Sequence, residues 1–492
     1  MPFSAQKKIS IGLGCLIGLP VLLGATYVLI LSAAKLEWGG SRPNEKLLGT
    51  AESPYLRNMD QYCTGVTTTP ASTWLVGKMD DYVPDELKKL KAVDIDALLQ
   101  STPPGNNAKD DSQADSSPSF SGYALRDHSK QSYISRLDDA GHFKLVATVG
   151  EDACLITSAD GAHVFLLTGL DAPGDDTQPR QSAVFRSDDQ GKSWQWLKDG
   201  FFPQANLVAW AMQPQFFKGD QVWVWVWDAP NGDTQGIGLF YSADLGKTVV
   251  PVETTLPVAV SDDEAQKHLP ADASISDGDA KRVIRQLDDT HAIGWLSQYF
   301  DASWPDSDKR ARYSVTTRVQ LSRDGNTWKI TSSTRDDGLY LEKVTQNTRG
   351  DFFAVTSRDQ RNGQAIERFN AGNSKWEEQG SLPSPFWPLD NRTTLRSNAT
   401  YTFSVGDKSI VVTTDSAYNA PRLFTPFDEH AAHIYADANY YSTNGGRSWK
   451  KLGLQGSEGI LGFDPAHDRV MGAHGDGYSS RDPNIYTYDL AP

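Results

Sequence analysis

Four groups of residues have types and spacings that could do chemistry. Asp428, Glu429, His430 and His433 place two imidazoles three residues apart among acids, with His467 and His474 downstream. Two such histidines can share a metal ion, but the spacing fixes no third ligand, and the plainer reading is a solvated loop. Cys63 and Cys154 can pair in an oxidising compartment and staple the N-terminal segment to the chain downstream; the plainer reading is two buried free thiols. Residues 221–227, Gln-Val-Trp-Val-Trp-Val-Trp, put three Val on one strand face and three Trp on the other. That face could be an aromatic platform for a sugar or a partner, or one side of a strand that is apolar on both faces. Acidic residues abound, yet no spacing pairs two carboxylates for hydrolysis. There is no Gly-rich phosphate loop, no zinc-type Cys pairing and no calcium loop of EF-hand spacing, so no metal and no cofactor is expected.

The elements that must position such groups are legible in a recurring corner. Ser187-Asp188-Asp189-Gln190-Gly191-Lys192-Ser193-Trp194 sits between two strand-like runs and reads as a β-hairpin tip. The Asp189 carboxylate can fold back onto the turn's own N–H groups, Gly191 supplies a left-handed conformation, and Ser187 and Ser193 can tie the strands. Trp194 carries the apolar surface into the sheet packing. Ser442, Asn444, Gly446 and Trp449 repeat the pattern with Asn for Asp. Ser322, Asp324, Gly325 and Trp328 repeat it with one residue deleted before the Gly. Ser242, Asp244 and Gly246 repeat it with Val249 in place of Trp. Two weaker copies run from Asn370 to Trp376 and from Leu137 to Lys144, the latter keeping Asp139 and Gly141.

This pattern resembles the Asp-box (BNR) repeat, Ser-x-Asp-x-Gly-x-Thr/Ser-Trp, of sialidase-like β-propellers. The resemblance implies an all-β propeller whose boxes are structural turns remote from the catalytic face. A sialidase of that kind needs three arginines for the substrate carboxylate, a Tyr nucleophile activated by a Glu, and an Asp acid. The Phe/Tyr-Arg-Ile-Pro motif that bears one of the arginines is missing; Arg126 in Tyr-Ala-Leu-Arg-Asp is its closest remnant and lacks the Ile-Pro. The resemblance therefore implies a non-catalytic member, with no catalytic residues to name.

Box starts at about 137, 187, 242, 322, 370 and 442 give steps of about 50 to 55 residues, stretched twice by insertions at 257–280 and 381–396. That step fits four strands per blade. The C-terminal strands at 459–473 and 484–489 have no box of their own, and joining them to the N-terminal hairpin at 133–146 would complete a sixth blade and close the ring. The expectation is six blades, or seven if an unrecognised blade hides in residues 41–119. Residues 120–492 are read as the propeller. Residues 35–119 are read as an N-terminal segment with a helix over 84–99 and an Asp/Ser/Pro-rich linker over 106–119.

Residues 9–31 are almost uninterruptedly apolar and, as a helix, would span about 34 Å, enough for a bilayer core of about 30 Å. Lys7 and Lys8 precede the run, which keeps the N-terminus cytoplasmic. Residues 1–34 are thus read as an anchor or, alternatively, a cleaved signal peptide. The net charge of −15 argues against a nucleic-acid partner and favours a partner with a basic surface. Together these imply a protein of the bacterial inner membrane, its bulk in the periplasm, that is not an enzyme and captures a partner protein, as immunity proteins against secreted antibacterial effectors do. The alternatives are a sialidase-like propeller that binds or hydrolyses glycans, and an envelope assembly factor.

Overall fold

The structure, a computed structural model, describes residues 40–51, 65–80, 93–94, 130–149, 153–158, 160–170, 181–197, 212–218, 220–227, 237–248, 250–252, 260, 262–304, 307–325, 327–359, 364–383, 395–419, 433–455, 460–473 and 484–490. Their fold is almost wholly β. Five four-stranded antiparallel sheets follow one another along the chain, spanning residues 153–196, 212–251, 274–337, 339–381 and 395–455, and within each the strands neighbour one another in chain order. Short hairpins join several of these neighbours, as at 287–290 and 324–327, and a tight turn can join only antiparallel strands.

The strands are apolar on both faces, and their alternation shows why. In Val164–Leu170, Val164 and Leu166 pack with Trp74, Ile134 and Ala147 of the preceding strands, whereas Phe165 and Leu167 pack with Val222 and Leu245 of the following sheet. Each sheet is thus a wedge between two neighbours. The same sealing recurs from sheet to sheet, through Trp223 with Trp328, Trp295 with Leu341, Val355 with Phe403, and Tyr441 with Tyr488. It ends where Leu461, Met471 and Ile485 pack against Val66, Leu75 and Phe143, which brings the last strands back to the first. The arrangement is propeller-like.

Closure differs from the expectation. Among the described residues a nine-stranded sheet runs Val66–Thr68, Thr73–Asp80, Lys130–Leu137, His142–Val149, Lys46–Ala51, Asn484–Asp489, Arg469–Ala473 and Ile460–Asp464, with Val93–Asp94 added beside His142–Val149. Lys46–Ala51 is antiparallel to Asn484–Asp489 but parallel to His142–Val149, so the sheet divides at that contact into two antiparallel runs of four. The C-terminal strands are completed by residues 46–51, and the hairpin at 130–149 joins residues 66–80 instead. No repeat marks Lys46–Ala51 because an outer closing strand has no corner of its own. Arg42 and Ser41 extend the closure to the adjoining sheet: Arg42 Nε donates to the Gly453 carbonyl at 2.9 Å, and Ser41 N–H to the Lys451 carbonyl at 2.9 Å.

Two further expectations are corrected. Where a helix over 84–99 was expected, Val93–Asp94 is a short strand; the rest of that stretch and the 106–119 linker lie outside the described residues. The insertion before Ser274–Gln286 contains a helix, α1 (Asp262–His268), that the composition did not suggest. Among the described residues no helix is long and apolar enough to cross a membrane, and the run at 9–31 lies outside them. The expected placement as a single-pass inner-membrane protein thus finds no support among the described residues.

Candidate functional site

The corners are structural. In the first, the Ser187 hydroxyl donates to Asp189 Oδ1 at 2.9 Å and accepts the Gly191 N–H at 2.7 Å. Asp189 also accepts the Ser193 N–H at 2.9 Å and the Ser193 hydroxyl at 2.6 Å. Burial pushes the Asp189 carboxyl up, but these bonds outweigh it and hold the group below its usual range. Ser242, Asp244, Gly246 and Thr248 form the same net, and so do Ser442, Asn444, Gly446 and Ser448. The residue before the Gly at position 191, 246 or 446 is also left-handed: Gln190 at φ 60°, Leu245 at 58° and Gly445 at 74°. Trp194 is buried, and Trp449 donates its indole N–H to the Ser381 carbonyl of the preceding sheet.

Two corners depart from the pattern. At Ser322, Asp324 and Gly325 the missing residue leaves a tight hairpin pairing Asp324 with Thr327, and the Ser–Asp net is not formed among the described residues. Trp328 is nevertheless fully buried against Trp223 and Tyr241. At 137–144 the capping group is Asp138 rather than Asp139; its Oδ1 accepts the Ala140 and His142 N–H groups.

Of the other candidate groups, Trp223 is core: it is fully buried, and its indole N–H donates to Gln286 Oε1 at 2.9 Å. The side chains of Trp225 and Trp227 lie outside the description, as do His430, His474, Arg126 and the side chain of His433. His467 is exposed, with Nδ1 2.7 Å from Asp464 Oδ2. Among the described residues no cluster of His, Cys, Asp or Glu is arranged to hold a metal. Cys154 is disulfide-bonded, and both other cysteines, Cys15 and Cys63, lie outside the described residues.

Chemical capacity concentrates at the opposite end of the sheets. In the 274–337 sheet the corner at 324–327 and the hairpin at 287–290 share one end, while the hairpin at 304–307 and the junction at 337–339 share the other. There this sheet meets the next, residues 339–381, across an inter-sheet seam, the crevice. A buried relay stitches its floor: the Leu341 N–H donates to Ser297 Oγ (2.7 Å), Ser297 Oγ to Thr316 Oγ1 (2.7 Å), and Thr316 Oγ1 to the Leu339 carbonyl (2.8 Å). Strand register then fixes what stands above it. Tyr299 pairs with Ser314, Asp301 with Arg312, and Thr316 with Asp336, so these side chains share the face that looks into the crevice.

Arg312 grips Asp301 through two bonds, 2.8 and 3.1 Å, and lies 4.2 Å from the Tyr299 ring centroid. Tyr299 meets Tyr340 of the next sheet edge-on, centroids 4.9 Å apart. Arg358 grips Glu367 through two bonds, 3.0 and 2.8 Å, and Glu367 is almost fully buried. Asp359 Oδ2 accepts the Ser314 N–H at 2.9 Å. Asp336 stands half-buried beside Arg358 and Glu367 with no hydrogen bond among the described residues. Burial pushes its carboxyl above the usual range, the Glu367 and Asp337 charges add to this, and Arg358 opposes it. Arg312, Arg335 and Arg358 are each held by their own carboxylates, so they do not gather on one substrate carboxylate as the sialidase set would. Sequence reasoning missed this crevice because its members come from different strands and converge only through register.

No family model matches the chain, and no curated protein matches it. Solved structures do resemble it. An oligogalacturonate lyase in complex with manganese is 10% identical over 92% of this chain and 98% of that chain, with a TM-score of 0.38. An α-L-arabinanase from Penicillium chrysogenum, complexed with arabinobiose, is 13% identical over 76% of this chain and 94% of that chain, TM-score 0.32. An α-L-arabinofuranosidase from Fusarium graminearum, in complex with an iminosugar inhibitor, is 12% identical over 81% and 98%, TM-score 0.34. The likeness is one of fold. These similar structures are enzymes, against the expectation that the chain is not one.

Proposed function

We propose that the chain is a carbohydrate-acting propeller that binds and hydrolyses glycosides at the end of the sheets away from the corners. Residues 66–149, the five four-stranded sheets, and the C-terminal strands completed by residues 46–51 are read as seven blades, with the corners as Asp-box turns that hold them. The observation that carries the functional reading is the contrast between two carboxyl groups in one crevice. Glu367 is locked to Arg358, whereas Asp336 is half-buried, unpaired and held above the usual carboxylate range. Arg358, committed to Glu367, and Lys375 pull the Asp336 carboxyl down without overcoming its burial. A carboxyl held above its usual range can act as the acid in glycoside hydrolysis, with a second, exposed carboxylate as the base.

In this reading Asp336 gives its proton to the bridging oxygen of the glycosidic bond. The bond from that oxygen to the anomeric carbon breaks, and its electron pair leaves with the oxygen. Water adds to the anomeric carbon and passes its proton to the exposed carboxylate of Asp359 on the facing wall. Arg312 and Tyr299 at the crevice mouth supply charged donors and an aromatic edge of the kind that orients sugar hydroxyls. The partner-capture reading is set aside, since no described feature supports it.

The test is turnover on a panel of neutral and acidic oligosaccharides and aryl glycosides, with sugar binding measured in parallel. Asp336→Asn should bind as the wild type does and lose about 10²- to 10⁴-fold in turnover. A wild-type chain that neither binds nor cleaves any member of the panel would falsify the reading.

A further inference from the structure

Helix α1 lies against the 274–337 sheet on the face turned away from the crevice. Ala265 and Leu269, with Val260, pack on Phe300, Ala302, Tyr313 and Val315. His268 stacks flat on Tyr313, centroids 4.3 Å apart at an interplanar angle of 1°. Arg335 closes the contact: Nη1 donates to Glu264 Oε1 at 2.5 Å, Nε to Asp337 Oδ1 at 2.6 Å, and Nη2 to the Tyr313 hydroxyl. The Tyr313 hydroxyl in turn donates to Asp337 Oδ1 at 3.1 Å.

Arg335, Asp336 and Asp337 are consecutive in the outer strand Thr327–Asp337. Side chains alternate across a strand, so Arg335 and Asp337 face α1 while Asp336 faces the crevice. The two residues that flank Asp336 are therefore the two that the helix clamps. An outer strand has a neighbour on one side only and is otherwise the freest strand of its sheet. We infer that α1 is a positioning device for Asp336, acting through Glu264 and Arg335 on the strand end that presents the carboxyl to substrate. This rests on the reading of the crevice as a glycoside-cleaving site, with Asp336 the residue that touches substrate and Glu264 and Arg335 positioning residues.

The clamp also sets the charge around Asp336. Arg358, Glu367 and Lys375 face it from the next sheet, and Asp337 stands beside it on its own strand. Arg335 neutralises Asp337 at close range. Removing Arg335 leaves the Asp337 charge uncompensated and drives the Asp336 proton on more firmly. Removing only the Glu264 charge leaves the Arg335–Asp337 pair intact and frees the strand end.

Three chains decide it: wild type, Arg335→Met and Glu264→Gln, with Thr331→Val on the same exposed strand as the control. The Asp336 carboxyl is followed by carbon NMR through a pH titration, and turnover is followed on the best glycoside of the panel. In Arg335→Met the Asp336 titration should move to higher pH, with kcat down by about tenfold or more and KM within about twofold. In Glu264→Gln kcat should fall by about tenfold with the titration unmoved. A purely structural helix would lower thermal stability while leaving both readouts alone, and that result overturns the inference. An unmoved Asp336 resonance in Arg335→Met overturns it as well. A wild-type chain without turnover sinks the glycosidase reading instead, while the titration still reports whether the clamp sets the Asp336 environment.

Discussion

Arg186 crosses from its own sheet to the next: Nη1 donates to the Leu245 carbonyl at 3.3 Å while Nη2 holds Asp188 at 3.0 Å. Leu245 is the left-handed residue of the following corner, so the turn is gripped at its most constrained point. Arg136 does the same one sheet earlier, donating to Gln190 Oε1 at 2.6 Å, and Gln190 is the matching left-handed residue there. The corners are thus rivet heads between adjacent sheets. Arg186 is 6% exposed, so Arg186→Met should leave the buried Leu245 carbonyl without its donor and cost about 1–3 kcal/mol in chemical denaturation. An unchanged midpoint would show that the rivet carries no weight.

Asn444 is a built-in control for the role of charge in the corner. It makes the bonds of Asp189 with an amide, accepting the Ser448 N–H at 2.9 Å and donating to the Ser448 hydroxyl at 2.7 Å. Asp189→Asn should therefore cost less than about 1 kcal/mol at neutral pH, whereas Asp189→Ala, which leaves the turn N–H groups and the Ser187 hydroxyl unmet, should cost about 1–3 kcal/mol. Thermal melts of the two variants side by side check the order.

The acid limb of stability comes from carboxyls held below their ordinary range. Asp288 is pushed down to about 2, chiefly by the Thr290 backbone N–H and then by the His291 and Thr290 side chains. Asp189 and Asp244 are lowered as well. A depressed carboxyl stabilises fully above its unfolded value of about 4 and loses that contribution as pH falls through its folded value. Stability should therefore decline between about pH 4 and about pH 2. The decline should be shallower in Asp288→Asn and in Asp189→Asn, because an amide has no proton to take up. Melting temperature against pH reads this directly.

Glycine is required at some corners and merely convenient at others. A Cβ on Gly191, at φ 84°, would stand 2.9 Å from the Trp74 ring of the neighbouring strand, whereas one on Gly325, at φ 60°, would meet nothing within 4 Å. Gly191→Ala combines backbone strain with overpacking and should cost about 2–4 kcal/mol; Gly325→Ala carries only the strain, about 1–2 kcal/mol. Equal costs would show that the corner does not seat against Trp74.

Ring closure depends on a strand far from its partner in the chain. Removing residues 40–51 would bare Ile485 and Phe143 and leave Asn484–Asp489 an open edge. The truncated chain should lose about 3–5 kcal/mol and become prone to self-association through that edge. Arg42→Ala, which removes one partly buried bond, should cost less than about 1 kcal/mol. Denaturation together with light scattering distinguishes the two.

The amino-acid order alone determined what short spans can determine. Ser, Asp or Asn, and Gly at spacings of two make the 187, 242 and 442 corners almost by themselves, since every bond in the net links residues no more than four apart. The both-faces-apolar strands and their antiparallel order came from the same local pattern. The limits of local reading appear at 322, where one missing residue abolishes the net while Trp328 keeps its place, and at 138, where the neighbouring Asp does the capping. Only the tertiary structure decided the rest. Pairing of residues 46–51 with 484–489 depends on where the ring's two ends meet, and nothing in six residues of strand announces it. The crevice is decided the same way: Arg358 and Glu367 lie on two strands of one sheet, and Asp336 and Arg312 on two strands of another. Their chemistry exists only because register turns them to one face and packing sets the two faces together. Side-chain type is local, but the burial and charge that give an Asp its function are properties of its neighbours in space.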